Sequence, residues 1–521
     1  MKHTLLFTAF IFLFFQCALA QNYILDNTFG SGGKVITSFG SADSNMASMS
    51  LQADGKILTC GSYYDGLVNQ IALSRYNIDG SLDNSFGTNG KVLTPIGTNL
   101  ENEHNTVRVL NNGKILVSGT NGTSSSYDFA IVQYNSNGSL DLTFGNNGVV
   151  LSDFNNEHNI STLEIQTDNK IVIGGSILIP SSNNNSNFAI ARYNIDGSKD
   201  TSFGINGLVS INIGTVSNNL TVSDDYVDAL KIQSDGKIIA SGLTSLNNGG
   251  DFGMVRLNTD GSIDSSFGIN GRVITDFGSI EEANAIQILS DGKIILSGIY
   301  YYNSDTNEKV VIAKYNSNGT LDATYGTSGK VITDFGNSSP VDFAFSSQIQ
   351  TDGKLLIIGY VKNATADAFI AIYNIDGTLD TSLNSSGFLF IDFGVNEDAV
   401  TSVFQTDGKL LLGGATYNGS IANFMLLRLE IDNLSTKSFE NNKFYISPNP
   451  FTDSITISTK DINLSLATIE LYDISGRKIS NFTTENTNNF TFSINSNLSK
   501  GNYFLKITDQ QTTQTFKLIK E

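Results

Sequence analysis

Short apolar runs separated by polar turn residues recur along almost the whole chain. One pattern reads apolar-x-Gln-x-Asp-Gly-Lys, then three or four mostly apolar residues, then glycine. Its lysine falls at Lys56, Lys114, Lys170, Lys237, Lys293, Lys354 and Lys409, at intervals of 55 to 67 residues. A second pattern interleaves with it, as in the stretch Tyr76 to Gly90. Its aromatic position is Phe29, Phe86, Phe144, Phe203, Phe267 and Tyr325, with Leu383 in the most divergent copy. Seven copies of each near a fixed period mark an array of one supersecondary unit.

The unit reads as four strands. Asp54-Gly55 separates the strand-like segments Met46–Gln52 and Lys56–Tyr63. An Asp-Gly pair suits the left-handed dihedrals of a tight hairpin. Runs such as Ile294-Ile295-Leu296 are apolar on both faces, so both faces must be covered. Stacked blades supply that cover. Ile71–Tyr76 makes a third strand and Lys91–Thr94 a fourth. The pattern predicts an all-β, seven-bladed β-propeller of four-stranded blades over 21–432.

The chain ends predict ring closure. The segment after Leu25 supplies only a fourth strand, Lys34–Phe39, while the last unit stops at its third, Phe424–Leu429. Pairing the two completes one blade from both termini and removes the exposed edges of an open array. An open solenoid with capping units is the alternative.

Repeats stop near Glu430, and the polar stretch 433–442 reads as a linker. Beyond it, 443–521 shows short alternating strands, Thr468–Tyr472, Phe490–Ile494 and Tyr503–Ile507, that predict a small C-terminal β-sandwich.

Composition adds location. Residues 1–20 form an expected signal peptide, with Lys2, the apolar run Leu5–Phe15 and the Ala18-Leu19-Ala20 cleavage site. Cys17 leaves a lipoprotein alternative, against which stands the bulky Gln16 before it. No later segment is apolar enough for a transmembrane helix. After cleavage Cys60 alone remains, so no internal disulfide is possible, and its apolar setting predicts a buried structural thiol. The formal charge of −19 opposes nucleic-acid binding.

The repeats, with their Gln-x-Asp-Gly-Lys-Ile and Leu-Asp-x-Ser-Phe-Gly-x-Asn-Gly motifs, resemble the delta-60 family of bacterial repeats over residues 25 to about 430. That resemblance implies a propeller-like domain in a secreted or surface protein and transfers no catalytic motif. The C-terminal segment is similar to the type A sorting domain of the type IX (Por) secretion system. The matching residues are Pro448-Asn449-Pro450, Tyr472-Asp473 with Gly476-Arg477, and Gly501 with Tyr503. The resemblance implies the type IX secretion machinery as partner and a secreted or outer-membrane surface location after passage through the periplasm.

No motif for chemistry stands out. His-x-x-His, Cys-x-x-Cys and His-Glu-x-x-His patterns are absent, so neither a metal site nor a cofactor is expected. The repeated aspartates, such as Asp83 and Asp141, are expected to hydrogen-bond their own turns. Loops from second to third strands and between blades share one face of the disc and vary in content. Their residues Tyr63, Tyr64, His104, His158, Tyr300 and Tyr301 are candidate ligand contacts. The expected function is non-catalytic binding or adhesion, with a glycan or surface protein as ligand. The alternatives are an extracellular glycan-acting enzyme, which requires carboxylates clustered at the centre of the variable face, and a structural surface-layer component.

Overall fold

The computed structural model of the chain describes residues 21–96, 105–123, 126–152, 158–179, 185–214, 223–245, 249–302, 305–335, 341–362, 366–392, 396–419, 421–433, 444–458, 467–474, 476–484, 489–494, 498–508 and 513–521. The expected signal peptide, the expected linker beyond Asn433, and His104 lie outside them. Two compact units divide at Leu434 and Ser435. Among the described residues no helix is long and apolar enough to cross a membrane.

The first unit holds seven antiparallel sheets, six of four strands and one of five. The inner strands, Ser44–Leu51, Val107–Val109, His158–Ile165, Asp224–Ile232, Ile280–Ile288, Val341–Ile349 and Glu397–Phe404, neighbour one another in a closed ring. Closure is as the sequence predicts. Lys34 pairs with Leu427 and Thr37 with Phe424. One strand was not anticipated: Gln21–Leu25 pairs with Leu429–Asn433 on the same edge, so the long strand Ile421–Asn433 holds two N-terminal partners.

The repeat motifs have physical roles. Second strands are buried on both faces, as in Ile57–Cys60, because hydrophobic clusters form between neighbouring blades. The motif aromatics Phe29, Phe86, Phe203 and Phe267 are fully buried in these seams, each contributing about 2–3 kcal/mol. Tyrosines latch five of the seven blades to the one before, as where Tyr76 donates to Thr37 Oγ1 at 2.8 Å, Tyr134 to Thr94 at 2.7 Å and Tyr315 to Thr275 at 2.8 Å; the fourth and seventh blades have Leu257 and Leu429 at this position. The second-motif aspartate caps its own turn, as expected. Asp83 Oδ1 accepts from the Ser85 amide at 3.0 Å and hydroxyl at 2.7 Å. Its other oxygen does more than that expectation held: Oδ2 meets Arg75 at 2.8 Å and the first-motif Lys56 at 2.9 Å. Burial pushes the Asp83 carboxyl up, but the hydrogen bonds from Ser85 and Lys56 and the Arg75 charge outweigh it and hold it well below the usual range.

The glycine that ends the first motif answers to a close approach. Six inner strands carry a β-bulge, at Met46/Ser48, Ile160/Thr162, Val227/Ala229, Glu282/Ala285, Ala344/Ser346 and Ala399/Thr401. The bulged backbone presses onto the second strand. A Cβ on Gly242 would lie 1.9 Å from Tyr226 O, and one on Gly359 only 1.6 Å from Phe343 O. Only glycine leaves room there.

The second unit stacks a three-stranded sheet, Tyr445–Ser447, Ser454–Ser458 and Asn489–Ser493, against a four-stranded one, Lys478–Thr483, Thr468–Asp473, Gly501–Thr508 and Thr513–Lys520. Ile455 and Ile457 of one sheet share a core with Ile469, Leu471 and Leu505 of the other, which makes the expected sandwich.

Candidate functional site

The bulges aim side chains at the axis of the ring. Ala47, Ser161, Asp228, Asn284, Phe345 and Val400 line the central channel, and Asn105 joins them from the second blade. Each stands nine residues before its motif lysine, so the seven blades contribute one residue apiece at one level. Elsewhere the repeat is monotonous; here it changes chemistry from blade to blade. Sequence reasoning missed this ring because an irregular position inside an inner strand resembles drift. The constant distance to the lysine was the available signal.

Towards the constant-turn face the channel is lined by polar clasps. Arg108 donates to Glu164 at 3.1 Å, and Lys231 does so at 2.7 Å. Burial pushes Glu164 up, but Arg108 and Lys231 outweigh it and hold its carboxyl at about 2. Gln287 Nε2 donates to Ser347 O at 2.7 Å and Gln348 Nε2 to Ser402 O at 2.9 Å, tying successive inner strands together.

Towards the variable face the channel opens into a cavity of about 310 Å³. Asp228, Glu282, Tyr301, Phe343, Phe345 and Asn105 are among its lining residues. Tyr301 donates its hydroxyl to Glu282 Oε2 at 2.8 Å. Phe345 stacks on Phe343 at 5.8 Å and on Tyr360 at 5.7 Å between ring centres. Asp228 is pushed well above the usual carboxylate range, by burial first and by the Glu282 charge second. Burial, with the charges of Glu282, Glu308 and Asp228, likewise raises the Tyr301 phenol. Two of the groups lining the cavity have unmet hydrogen-bonding capacity, as do buried side chains elsewhere such as Gln133 and Gln233: Asn105, 1% exposed, at both side-chain atoms, and Asp228 at Oδ2. Buried amides and carboxylates left so are costly unless something completes them.

The sequence candidates distribute unevenly around this cavity. Tyr301 lines it. Tyr300 packs against the seam of the neighbouring blade, and Tyr63 is buried in another seam. Tyr64 is exposed and donates to Gly66 O at 3.0 Å. The backbone of His158 opens an inner strand opposite Ile177, while His104 lies outside the described residues. Cys60 is buried, as expected, and donates to Asn105 O at 3.5 Å.

Two further carboxylate sets can hold a cation. Asp251, Asp276 and Glu281 converge within 4.8 Å at the junction of the fourth and fifth blades, as do Asp367, Asp392 and Glu397 at that of the sixth and seventh. At the intervening junction the corresponding residues are Lys309, Asp334 and Asp342, and Lys309 meets Asp334 at 3.5 Å.

These clusters make stability depend on pH. Burial pushes Glu281 up to about 7, with Asp251 and Asp276 adding to it, and pushes Asp225 and Asp342 up to about 6. A carboxyl raised in the folded state stabilises below its unfolded value and loses that contribution as pH climbs through its folded one. Carboxyls held low, such as Asp83, matter only below about pH 4. The melting temperature is therefore expected to fall by several degrees between pH 5 and pH 8 with a chelator present, and Glu281→Gln to flatten the slope. Thermal melts across that range check it.

In the C-terminal unit the sorting-motif residues hold the sandwich together. Asn449 donates to Lys517 O at 2.9 Å and accepts from the Ile519 amide at 2.9 Å, so the Pro448–Pro450 bend clips the last strand. Asp473 accepts from Arg477 Nε at 3.0 Å across the turn at Gly476, whose φ is +81°. Tyr472 donates to Glu470 at 2.9 Å, and Tyr503 is buried and donates to Ser499 O at 2.7 Å. Gly501 opens the strand Gly501–Thr508.

Comparison with known proteins agrees with this architecture. A domain of unknown function, the DUF5122 beta-propeller, matches residues 52–86, 110–144, 166–203, 233–267, 289–325 and 350–383. A secretion system C-terminal sorting domain matches 445–521. No curated protein matches the chain. Among solved structures, the polysaccharide lyase Uly1 is 12% identical with a TM-score of 0.44, covering 74% of this chain and 89% of its own. A protein of unknown function from Dyadobacter fermentans DSM 18053 is 12% identical with a TM-score of 0.41, covering 63% and 94%. The alpha-L-arabinanase of Penicillium chrysogenum, complexed with arabinobiose, is 10% identical with a TM-score of 0.37, covering 63% and 93%. Motif, topology and family matches converge: the chain is a β-propeller of DUF5122, delta-60-type repeats that carries a type IX secretion system C-terminal sorting domain.

Proposed function

We propose that the protein is a secreted or cell-surface binding module that captures an extracellular ligand, a glycan or a surface protein, at the variable-face mouth of its channel. The sorting domain supports handling by the type IX machinery and hence export. One observation carries the location of the site: the cavity is lined by Asn105 and Asp228, buried groups with hydrogen-bonding capacity that nothing among the described residues meets. Aromatic and polar side chains on a rigid ring complete what recognition requires.

The test is binding of the purified chain to a panel of extracellular polysaccharides and surface proteins. A bound ligand is expected to be lost at least tenfold in Phe345→Ala at unchanged melting temperature. Binding indifferent to that change places recognition elsewhere. The carboxyls of Asp228 and Glu282 in one cavity, the first pushed well above the usual range, favour a second reading, glycan cleavage by a paired acid and base. The same incubations, assayed for new reducing ends, decide it.

A further inference from the structure

We infer that the channel mouth recognises the protonated amino group of a hexosamine ring, an inference that rests on the binding site proposed above. Three features of the cavity select this chemistry. First, charge: its lining includes the carboxyls of Asp228 and Glu282 and no lysine or arginine. Arg108 and Lys231 lie deeper in the channel and are both engaged by Glu164, at 3.1 and 2.7 Å. A uronate or sulfated sugar would bring an anion against these carboxyls, while an ammonium favours their ionised forms and is favoured by them.

Second, hydrogen bonding: Asp228 Oδ2 requires a polar partner, and Asn105 offers both a donor and an acceptor. A ring with an ammonium and neighbouring hydroxyls meets all three, because a hydroxyl both donates and accepts. A bare metal cation meets the carboxylate but gives the Asn105 amide nitrogen no acceptor. Third, surface: the stacked rings of Phe343 and Phe345 present an aromatic wall beside the carboxyls. Aromatic rings favour an adjacent cation and pack against the apolar faces of a sugar ring. The volume, about 310 Å³, sits at the small end of ligand sites and suits one ring rather than a chain.

Titration calorimetry on the full chain at pH 7 tests this, with glucosamine, N-acetylglucosamine, glucose, glucuronate, calcium and a chitosan oligosaccharide as separate arms. Glucosamine is expected to bind at least tenfold more tightly than its acetylated or hydroxyl counterparts. Asp228→Asn is expected to erase that preference while the melting temperature is held. The chitosan arm, tighter or weaker than the monomer, tells a polymer end from a free sugar. Equal affinity for glucose, preference for glucuronate, or binding of calcium alone overturns the inference and leaves the mouth as a binding site of another chemistry. Absence of binding in every arm overturns it too; the proposed function is then judged separately, by whether Phe345→Ala affects capture of any panel member.

Discussion

Deleting residues 21–39 is expected to abolish the cooperative melting of the propeller and to yield self-associating protein. Two strands are lost from one edge of Ile421–Asn433, which exposes that edge for nearly its whole length. An exposed, apolar edge strand is a template for pairing with a second chain. The deletion also takes away Asp26, which accepts from Arg428 at 2.8 Å and Lys409 at 2.6 Å. Arg428 is almost fully buried, and stranding such a cation costs about 3–5 kcal/mol. The aromatic ring beneath it, Phe29 at 4.5 Å, is lost as well. In other blades the same contact is local, as between Arg75 and Asp83, and deletion of a terminus would not touch it. The single change Asp26→Ala isolates the ionic part and is expected to destabilise by about 3 kcal/mol. Calorimetry and size-exclusion chromatography check both; a truncated chain with an unaltered melt would refute the closing role of these strands.

The second large effect is expected at Gly359→Ala. The added methyl would sit 1.6 Å from Phe343 O and 2.7 Å from its carbonyl carbon, both backbone atoms with no rotamer by which to retreat. Either the bulge at Ala344/Ser346 or the pairing of Ala344 with Gly359 must give way. We expect a loss of about 3 kcal/mol or more. Because the bulge aims Phe345 into the cavity, ligand binding should fall with it. Gly408→Ala is the control: nothing lies within 4 Å of its Cβ, and only its φ of +85° opposes the change. That strain amounts to about 1 kcal/mol. Comparable destabilisation at the two positions would mean that the motif glycine serves backbone freedom rather than close approach.

These cases also show what the residues disclose unaided. Blade number, hairpin positions and the pairing of Lys34–Thr37 follow from turn chemistry and from counting strands, because both are local signals repeated seven times. The strand Gln21–Leu25 is not evident from the sequence because Gln21 and Asn22 interrupt the apolar pattern beside the expected signal peptide. The bond from Lys114 to Asp141, 27 residues away, joins the two motifs and cannot be read from either alone. The cavity was least legible. Asp228, Asn105 and Phe345 share no residue type, and their convergence depends on a bulge that pattern reading does not register. Of the loop tyrosines only Tyr301 reaches that cavity, since in second strands the side-chain direction, not proximity to a loop, decides who faces the axis.

The contact between Asp26 and Arg428 spans 402 residues. A polypeptide made from its amino end must therefore carry the first half of its clasp idle until almost the last residue of the ring has emerged. Six sheets can form in turn while the wheel stays open. Completion is a single late event, governed by how long the waiting strands escape other partners.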